Sequence, residues 1–193
     1  MNIFAKVIYT TNNDIEKKLV EFFNLTKVKT GEVNIYSKLE NDFNIVLINE
    51  ENIKKGFDYL LKNYEIINFI GVGFSLPLDT LELNFGDIII PNTFINQKNE
   101  VVFLESITTS NYDLNSFGLI LNGICISIET EFKNESDFEK LKDFQAQIYD
   151  KESFEIAKTL KENNLDKSSL IIKIVGKDLS FIDNVKIILD LMI

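Results

Sequence analysis

Three acidic residues lie close together in the second half of the chain, at the start of a predicted helix: Asp150, Glu152 and Glu155. The apolar positions of this helix recur at helical spacing and face the core: Phe154, Ala157 and Leu160. One of the acids can therefore turn inward while the others stay solvated. A buried carboxylate without partners is costly, so an inward acid implies either a fixed structural donor or a ligand that supplies hydroxyl groups.

Several other kinds of chemistry are excluded by composition. The chain has no His and a single Cys, which rules out a His-dependent catalytic triad, a His-ligated zinc site and an internal disulfide. Cys125 lies in an apolar run, where a buried inert thiol is expected. We expect no metal and no cofactor, and the groups left for chemistry are carboxylates, Lys, Tyr and hydroxyls.

The charge balance restricts the partners. The formal net charge is -10, so the surface should repel nucleic acid and anionic membranes. All 20 basic residues are Lys, so any phosphate site must use Lys or backbone amides instead of the bidentate fork of Arg. The first residues lack the pattern of a signal peptide, and no apolar run reaches the length of a spanning helix. These features predict a cytoplasmic protein.

Predicted strands and helices, which must position these residues, alternate along the first half of the chain. A strand over residues 3–10 and a helix over 14–25 form a βα unit, and a hairpin is predicted within 27–37. A buried strand over 44–49 leads into a helix over 51–63. No flexible linker or internal repeat interrupts the pattern, which predicts one domain over residues 1–193.

The second half continues the pattern with more strands. Apolar strands are predicted over 66–72 and 87–90 without a convincing helix between them, so the sheet should be mixed. Further strands are predicted over 101–104, 119–128 and 169–175, and further helices over 136–144, 151–163 and 184–192, the last one capped by Ser180. The order favours a single α/β domain with three layers, α/β/α, around a central mixed sheet.

Four segments, taken in order, resemble the nucleoside phosphorylase and nucleosidase family. INFIGVGFSL at 67–76 looks like the family's strand and small-residue turn, and LNFGDIIIP at 83–91 looks like its Gly-Asp element. QIYDKESFEIA at 147–157 resembles the family's Asp/Glu-Met-Glu helix opening, and LIIKIV at 170–175 resembles the strand before its catalytic Ser-Asp. The resemblance implies cleavage of the N-glycosidic bond of a purine nucleoside and a homo-oligomer, dimer or larger.

The resemblance also implies roles for individual residues. Glu152 would hold the ribose hydroxyls, Asp14 would orient water, and Asp178 would be the acid that hydrogen-bonds the departing base. Phe132 would supply an aromatic surface for the base. The remaining substrate-binding positions implied are Lys151, which replaces the family's Met, Gly73 and Ser75.

Departures from the family pattern leave three functions open. Lys177 stands where the family's acid would fall, one residue before Asp178, and the early Gly-rich motif is replaced by residues 48–55. A nucleosidase is favoured over a phosphorylase, because without Arg a phosphate would depend on Lys54, Lys55 or backbone amides. The third possibility is a non-catalytic member that binds a nucleoside or a protein partner. We expect Lys177 to point away from the pocket and Asp178 to lie nearer the base site, because an acid can donate and recover a proton there.

Overall fold

The β-branched and aromatic runs of the chain form strands of one mixed sheet. The computed structural model describes residues 3–29, 33–78, 83–105, 119–128 and 143–193. Within these residues the strands are β1 (Phe4–Thr10), β2 (Thr26–Lys29), β3 (Asn34–Glu40), β4 (Phe43–Asn49), β5 (Glu65–Pro77), β6 (Ile88–Asn96), β7 (Val101–Phe103), β8 (Leu119–Ser127), β9 (Ile148–Asp150) and β10 (Ser169–Val175). The helices are α1 (Asn13–Phe23), α2 (Ile53–Asn63), α3 (Ser153–Glu162) and α4 (Ile182–Met192).

Strand β5 organises the sheet because it is long enough to pair with three neighbours. It runs parallel to β1 and to β10, and its last residues pair antiparallel with β9. On one side of β5 the order continues through β1, β4, β3 and β2. On the other side, β10, β6, β8 and β9 lead back to β5, so these five strands close a ring.

Two pairs of helices cover the two faces of the sheet. Helices α1 and α4 pack with the cluster that contains Ile8, Leu47 and Ile172, whereas α2 and α3 pack with the cluster that contains Tyr9 and Phe69. All seven residues of β10 are buried, as predicted for a strand covered on both faces. The predicted three-layer α/β/α architecture with a mixed sheet is confirmed. None of the helices in the described ranges is long and apolar enough to span a bilayer.

Several boundaries differ from the sequence-based prediction. Strands β5 and β6 extend to Pro77 and Asn96, well beyond the predicted ends, and the three-residue strand β9 was missed. Helix α4 begins at Ile182 after a short 3₁₀ turn, so Ser180 is not its N-cap. The helix predicted over 136–144 falls almost entirely outside the described residues.

Candidate active site

A cavity of about 710 Å³ opens where the parallel strands β1, β5 and β10 approach their carboxyl ends. Ligands of α/β sheets commonly bind at this edge. The lining comes from the segments that follow β1, β8 and β10, from the end of β5, and from the β9–α3 junction. Its residues are Thr11, Asn12, Asp14, Phe74, Ser75, Leu76, Ile128, Tyr149, Asp150, Lys151, Glu152, Gly176 and Lys177.

A buried ion-pair cluster lies beneath this cavity. Lys173, in the middle of β10, is only 1% exposed, and its Nζ lies 2.5 Å from Asp150 Oδ2 and 2.8 Å from Glu152 Oε1. Burial alone would lower the pKa of Lys173, but the two carboxylates hold it above its ordinary value. The charged form of Lys173 is therefore favoured, and it forms an ion pair with both acids.

Gly73 on β5 provides the space for this cluster. It is paired with Lys173 in the register of β5 and β10. A Cβ atom at Gly73 would lie 2.7 Å from Lys173 Nζ and 3.0 Å from Glu152 Oε1, which is closer than side-chain atoms normally approach. The ammonium group therefore occupies the volume that any larger residue would need.

Asp150 has a structural environment. It accepts hydrogen bonds from Ser127 Oγ at 2.8 Å, from the Ser153 backbone N–H at 3.2 Å, and from Ser153 Oγ. Burial acts to raise the pKa of Asp150, but Lys173 and the Ser153 and Ser127 hydrogen bonds outweigh it and lower the pKa below its ordinary value. Ser127 Oγ in turn accepts from the Phe154 N–H at 2.8 Å. This network joins β8, β9 and the start of α3.

Glu152 has a different environment from Asp150, although both contact Lys173. Its side chain retains 20% exposure and lines the cavity. Burial raises the pKa of Glu152 above its ordinary value, and the attraction of Lys173 offsets this only in part. Glu152 therefore presents a carboxylate, held in place from below, to whatever enters the cavity.

Solved structures of nucleosidases superpose on this chain over nearly its whole length. A futalosine hydrolase mutant of Helicobacter pylori strain 26695 matches with a TM-score of 0.78 and 12% identity, covering 98% of both chains. Helicobacter pylori MTAN, a 5'-methylthioadenosine/S-adenosylhomocysteine nucleosidase, gives 0.76 at 12% identity over 97% of this chain and 98% of that chain. Arabidopsis thaliana 5'-methylthioadenosine nucleosidase gives 0.71 at 14% identity, covering 97% and 91%.

The chain has the fold of these nucleosidases. The resemblance found in the four sequence segments is thus confirmed at the level of the fold. In sequence alone, no family model and no curated protein matches the chain.

Within this nucleosidase fold, the prediction for Lys177 and Asp178 is wrong. Lys177 lines the cavity, whereas Asp178 is fully exposed and is not among the lining residues. The reason is a turn at Gly176, whose φ of +92° reverses the chain beside Ser75. Asp178 Oδ1 then accepts the Ser180 N–H at 2.8 Å and caps the 3₁₀ turn, and these hydrogen bonds lower its pKa. Asp178 therefore faces solvent in this structure and does not line the cavity where the base would lie.

Asp14 lies at the rim of the cavity. Its side chain is 63% exposed and pairs with Lys17 at 3.1 Å. Asn12, rather than Asp14, caps α1, because Asn12 Oδ1 accepts the N–H groups of Asp14 and Ile15. Asp14 therefore lines the cavity at its rim, and its ion-pair partner Lys17 is exposed rather than buried.

The remaining predicted residues fall into three groups. Lys151 and Ser75 line the cavity, and Gly73 supports the cluster beneath it. Phe132 lies outside the described residues, but another aromatic residue, Phe74, lines the cavity.

Sequence reasoning missed the cation of the cluster. A Lys in the middle of an otherwise apolar strand that is buried on both faces requires a counter-charge, so Lys173 was a readable signal. Its partners could not be chosen from the sequence, since three neighbouring acids were available. The described residues contain no group of three or more His, Cys, Asp or Glu side chains arranged to hold a metal ion.

Proposed function

We propose that this protein binds a purine nucleoside in the cavity and hydrolyses its N-glycosidic bond, releasing the base and a free sugar. The observation that carries the proposal is Glu152, a cavity-lining carboxylate held by buried Lys173 in a nucleosidase fold. A fixed carboxylate accepts hydrogen bonds from adjacent hydroxyl groups, which a ribose supplies. The proteins that share the fold include nucleosidases named for methylthioadenosine.

The charges around the cavity support a role in this reaction. Cleavage of the bond develops positive charge on the ribose, and a carboxylate beside the sugar stabilises that charge. Glu152 is our candidate for this carboxylate, because it lines the cavity and is held by Lys173, which Asp150 also contacts. Asp14 at the rim is our candidate for orienting the attacking water, because it is the further carboxylate among the lining residues.

A second candidate function, nucleoside binding without turnover, is favoured by one observation. The residue after Gly176 that lines the cavity is Lys177, and Asp178 is outside it. A binding protein would keep the role of Glu152 and dispense with an acid for the base. The phosphorylase alternative has less support, because Lys54 and Lys55 are not among the lining residues and Lys55 pairs with Glu50 at 3.3 Å.

A panel of purine nucleosides and 5'-thio analogues, incubated with and without inorganic phosphate, tests these functions. We expect free base and free sugar in equal amounts without phosphate. Appearance of ribose 1-phosphate, with base released only when phosphate is present, would show phosphorolysis. Saturable binding without base release would establish the binding function instead.

The sequence patterns support one broader proposal about the protein, its location, and the family resemblance supports another, its oligomeric state. We infer that it works in the cytoplasm and as a homo-oligomer, dimer or larger. Analytical ultracentrifugation of the full chain measures the second property, and a monomer at micromolar concentration would contradict it.

A further inference from the structure

The charged side chains that line the cavity fall into two classes. Three are acids, and each is already paired with a Lys outside the lining: Asp14 with Lys17 at 3.1 Å, and Asp150 and Glu152 with Lys173 at 2.5 and 2.8 Å. The other two are the lysines Lys151 and Lys177. Within the described part of the chain, neither of these lysines forms an ion pair.

The two lysines reach the cavity from different elements. Lys151 lies between β9 and α3, directly beside Glu152, and Lys177 follows β10 immediately after the turn at Gly176. Both residues are solvent-exposed, and both line the cavity, so each can present its ammonium group to a ligand there. The chain has a net charge of -10 with 30 acidic residues, so two lysines at one cavity that pair with no acid of the described residues are a local excess of positive charge there.

We propose that the ligand of this cavity is a nucleoside that carries an anionic group, phosphate or carboxylate, and that Lys151 and Lys177 bind this group. The inference rests on the proposed function, in which Glu152 takes the ribose 2′ and 3′ hydroxyls. The anionic group is therefore on the 5′ carbon or on the base. A Lys ammonium is a compact point charge with three donors, which suits a phosphate and a carboxylate equally.

Titration calorimetry with four ligands tests the proposal: adenosine, adenosine 5′-monophosphate, adenosine 5′-carboxylic acid and an adenosine bearing a carboxymethyl group on N6. The variants are Lys151→Gln, Lys177→Gln and the double variant. Lys98→Gln is the matched control, because Lys98 is exposed in the segment between β6 and β7 and is not among the lining residues.

We expect at least one anionic ligand to bind the parent about tenfold or more tightly than adenosine, since hydrogen bonds to charged groups are the stronger class. This advantage should shrink in each single variant, disappear in the double variant and persist in Lys98→Gln. It should also weaken as salt is raised, because exposed charges are screened. Comparison of the three anionic ligands shows whether the bound group is a phosphate or a carboxylate, and whether the sugar or the base carries it.

Adenosine binding with no advantage for any anionic ligand would overturn this inference and leave the proposed function standing. An advantage that survives in the double variant would also overturn it. If inorganic phosphate strengthens adenosine binding, the lysines hold a separate ion and the inference is wrong. Failure of all four ligands to bind the folded parent would overturn the proposed function together with the inference.

Discussion

Asp150 and Glu152 show how two carboxylates that are two positions apart in the chain acquire different properties. Both contact Lys173, but Asp150 also accepts hydrogen bonds from Ser127 and Ser153, and its pKa is lowered. Glu152 lies at the cavity wall and its pKa is raised by burial. Asp150 therefore belongs to the framework of the site, and Glu152 is the group available to a ligand.

Removal of the buried cation should destabilise the fold. Lys173→Met leaves two carboxylates without their counter-charge, and breaking a buried ion pair in this way costs about 3–5 kcal/mol. Urea unfolding at pH 7 measures the loss. The matched control is Lys17→Met, whose exposed pair with Asp14 should contribute about 1 kcal/mol or less.

The pH dependence of this loss follows from the same charges. In the parent, the lowered pKa of Asp150 adds stability above the usual carboxyl range, and that stability is lost as pH falls through the folded pKa. In Lys173→Met, burial favours the protonated form of the two carboxyl groups, so lowering the pH increases the free energy of unfolding of the variant. The difference in unfolding free energy should therefore shrink as pH falls. Equal stability of the parent and Lys173→Met at neutral pH would contradict the role of Lys173.

For individual residues, the sequence predicted that an inward-facing acid needs a partner, but it did not identify that partner. The helical pattern after Asp150 indicated that one acid turns inward and requires a donor. That donor, Lys173, is 21 residues from Glu152 along the chain, and only the pairing of β10 with β5 brings it there. Asp178 was misplaced because the sequence shows a glycine at 176 but not that the chain turns there with a φ of +92°, after which Lys177 lines the cavity.

Among the elements, β5 and β10 depend on each other at the site. Strand β5 carries two glycines near the ion-pair cluster of Lys173, and they differ in which atoms an added methyl group would contact. At Gly73 it would meet Lys173 Nζ at 2.7 Å, whereas at Gly71 it would meet Ile171 Cγ1 at 3.5 Å, an ordinary contact. The two positions therefore form a matched pair for one substitution.

Gly73→Ala should displace Lys173 or Glu152, because the ammonium group is held by two acids and has little freedom to withdraw. We expect a loss of about 1–3 kcal/mol, the range for overpacking a filled interior, together with weaker nucleoside binding. Gly71→Ala should change both quantities much less. Urea unfolding and ligand titration of the two variants provide the comparison, and equal effects at both glycines would contradict the tight approach at Gly73.

The elements that the sequence predicted well are those that local pattern determines. Strand β10 was predicted over 169–175 and is found with those bounds, because a continuous β-branched run is typical of a strand covered on both faces. Strand β9 has three residues and pairs with the end of β5, which is far away in sequence. Closure of the five-stranded ring depends on that pairing and could not be predicted from periodicity.

For the whole molecule, the fold is preserved although most side chains differ. The identity to the superposed nucleosidases is 12–14%, yet the TM-scores are 0.71–0.78. Such folds tolerate exchange of hydrophobic residues as long as volume and patterning are kept. Since fold alone does not establish activity, the function of this chain depends on the residues that its own cavity presents.

The affinity of purine nucleosides for Glu152→Gln tests the central claim most directly. The change keeps the shape of the side chain but removes the charge-assisted hydrogen bonds to ribose hydroxyls, so binding should weaken by about 1.5–3 kcal/mol with the fold intact. Glu155→Gln on the exposed face of α3 is the control and should bind like the parent. If the parent binds a nucleoside and Glu152→Gln binds it equally well, Glu152 does not hold the sugar and the site assignment is wrong.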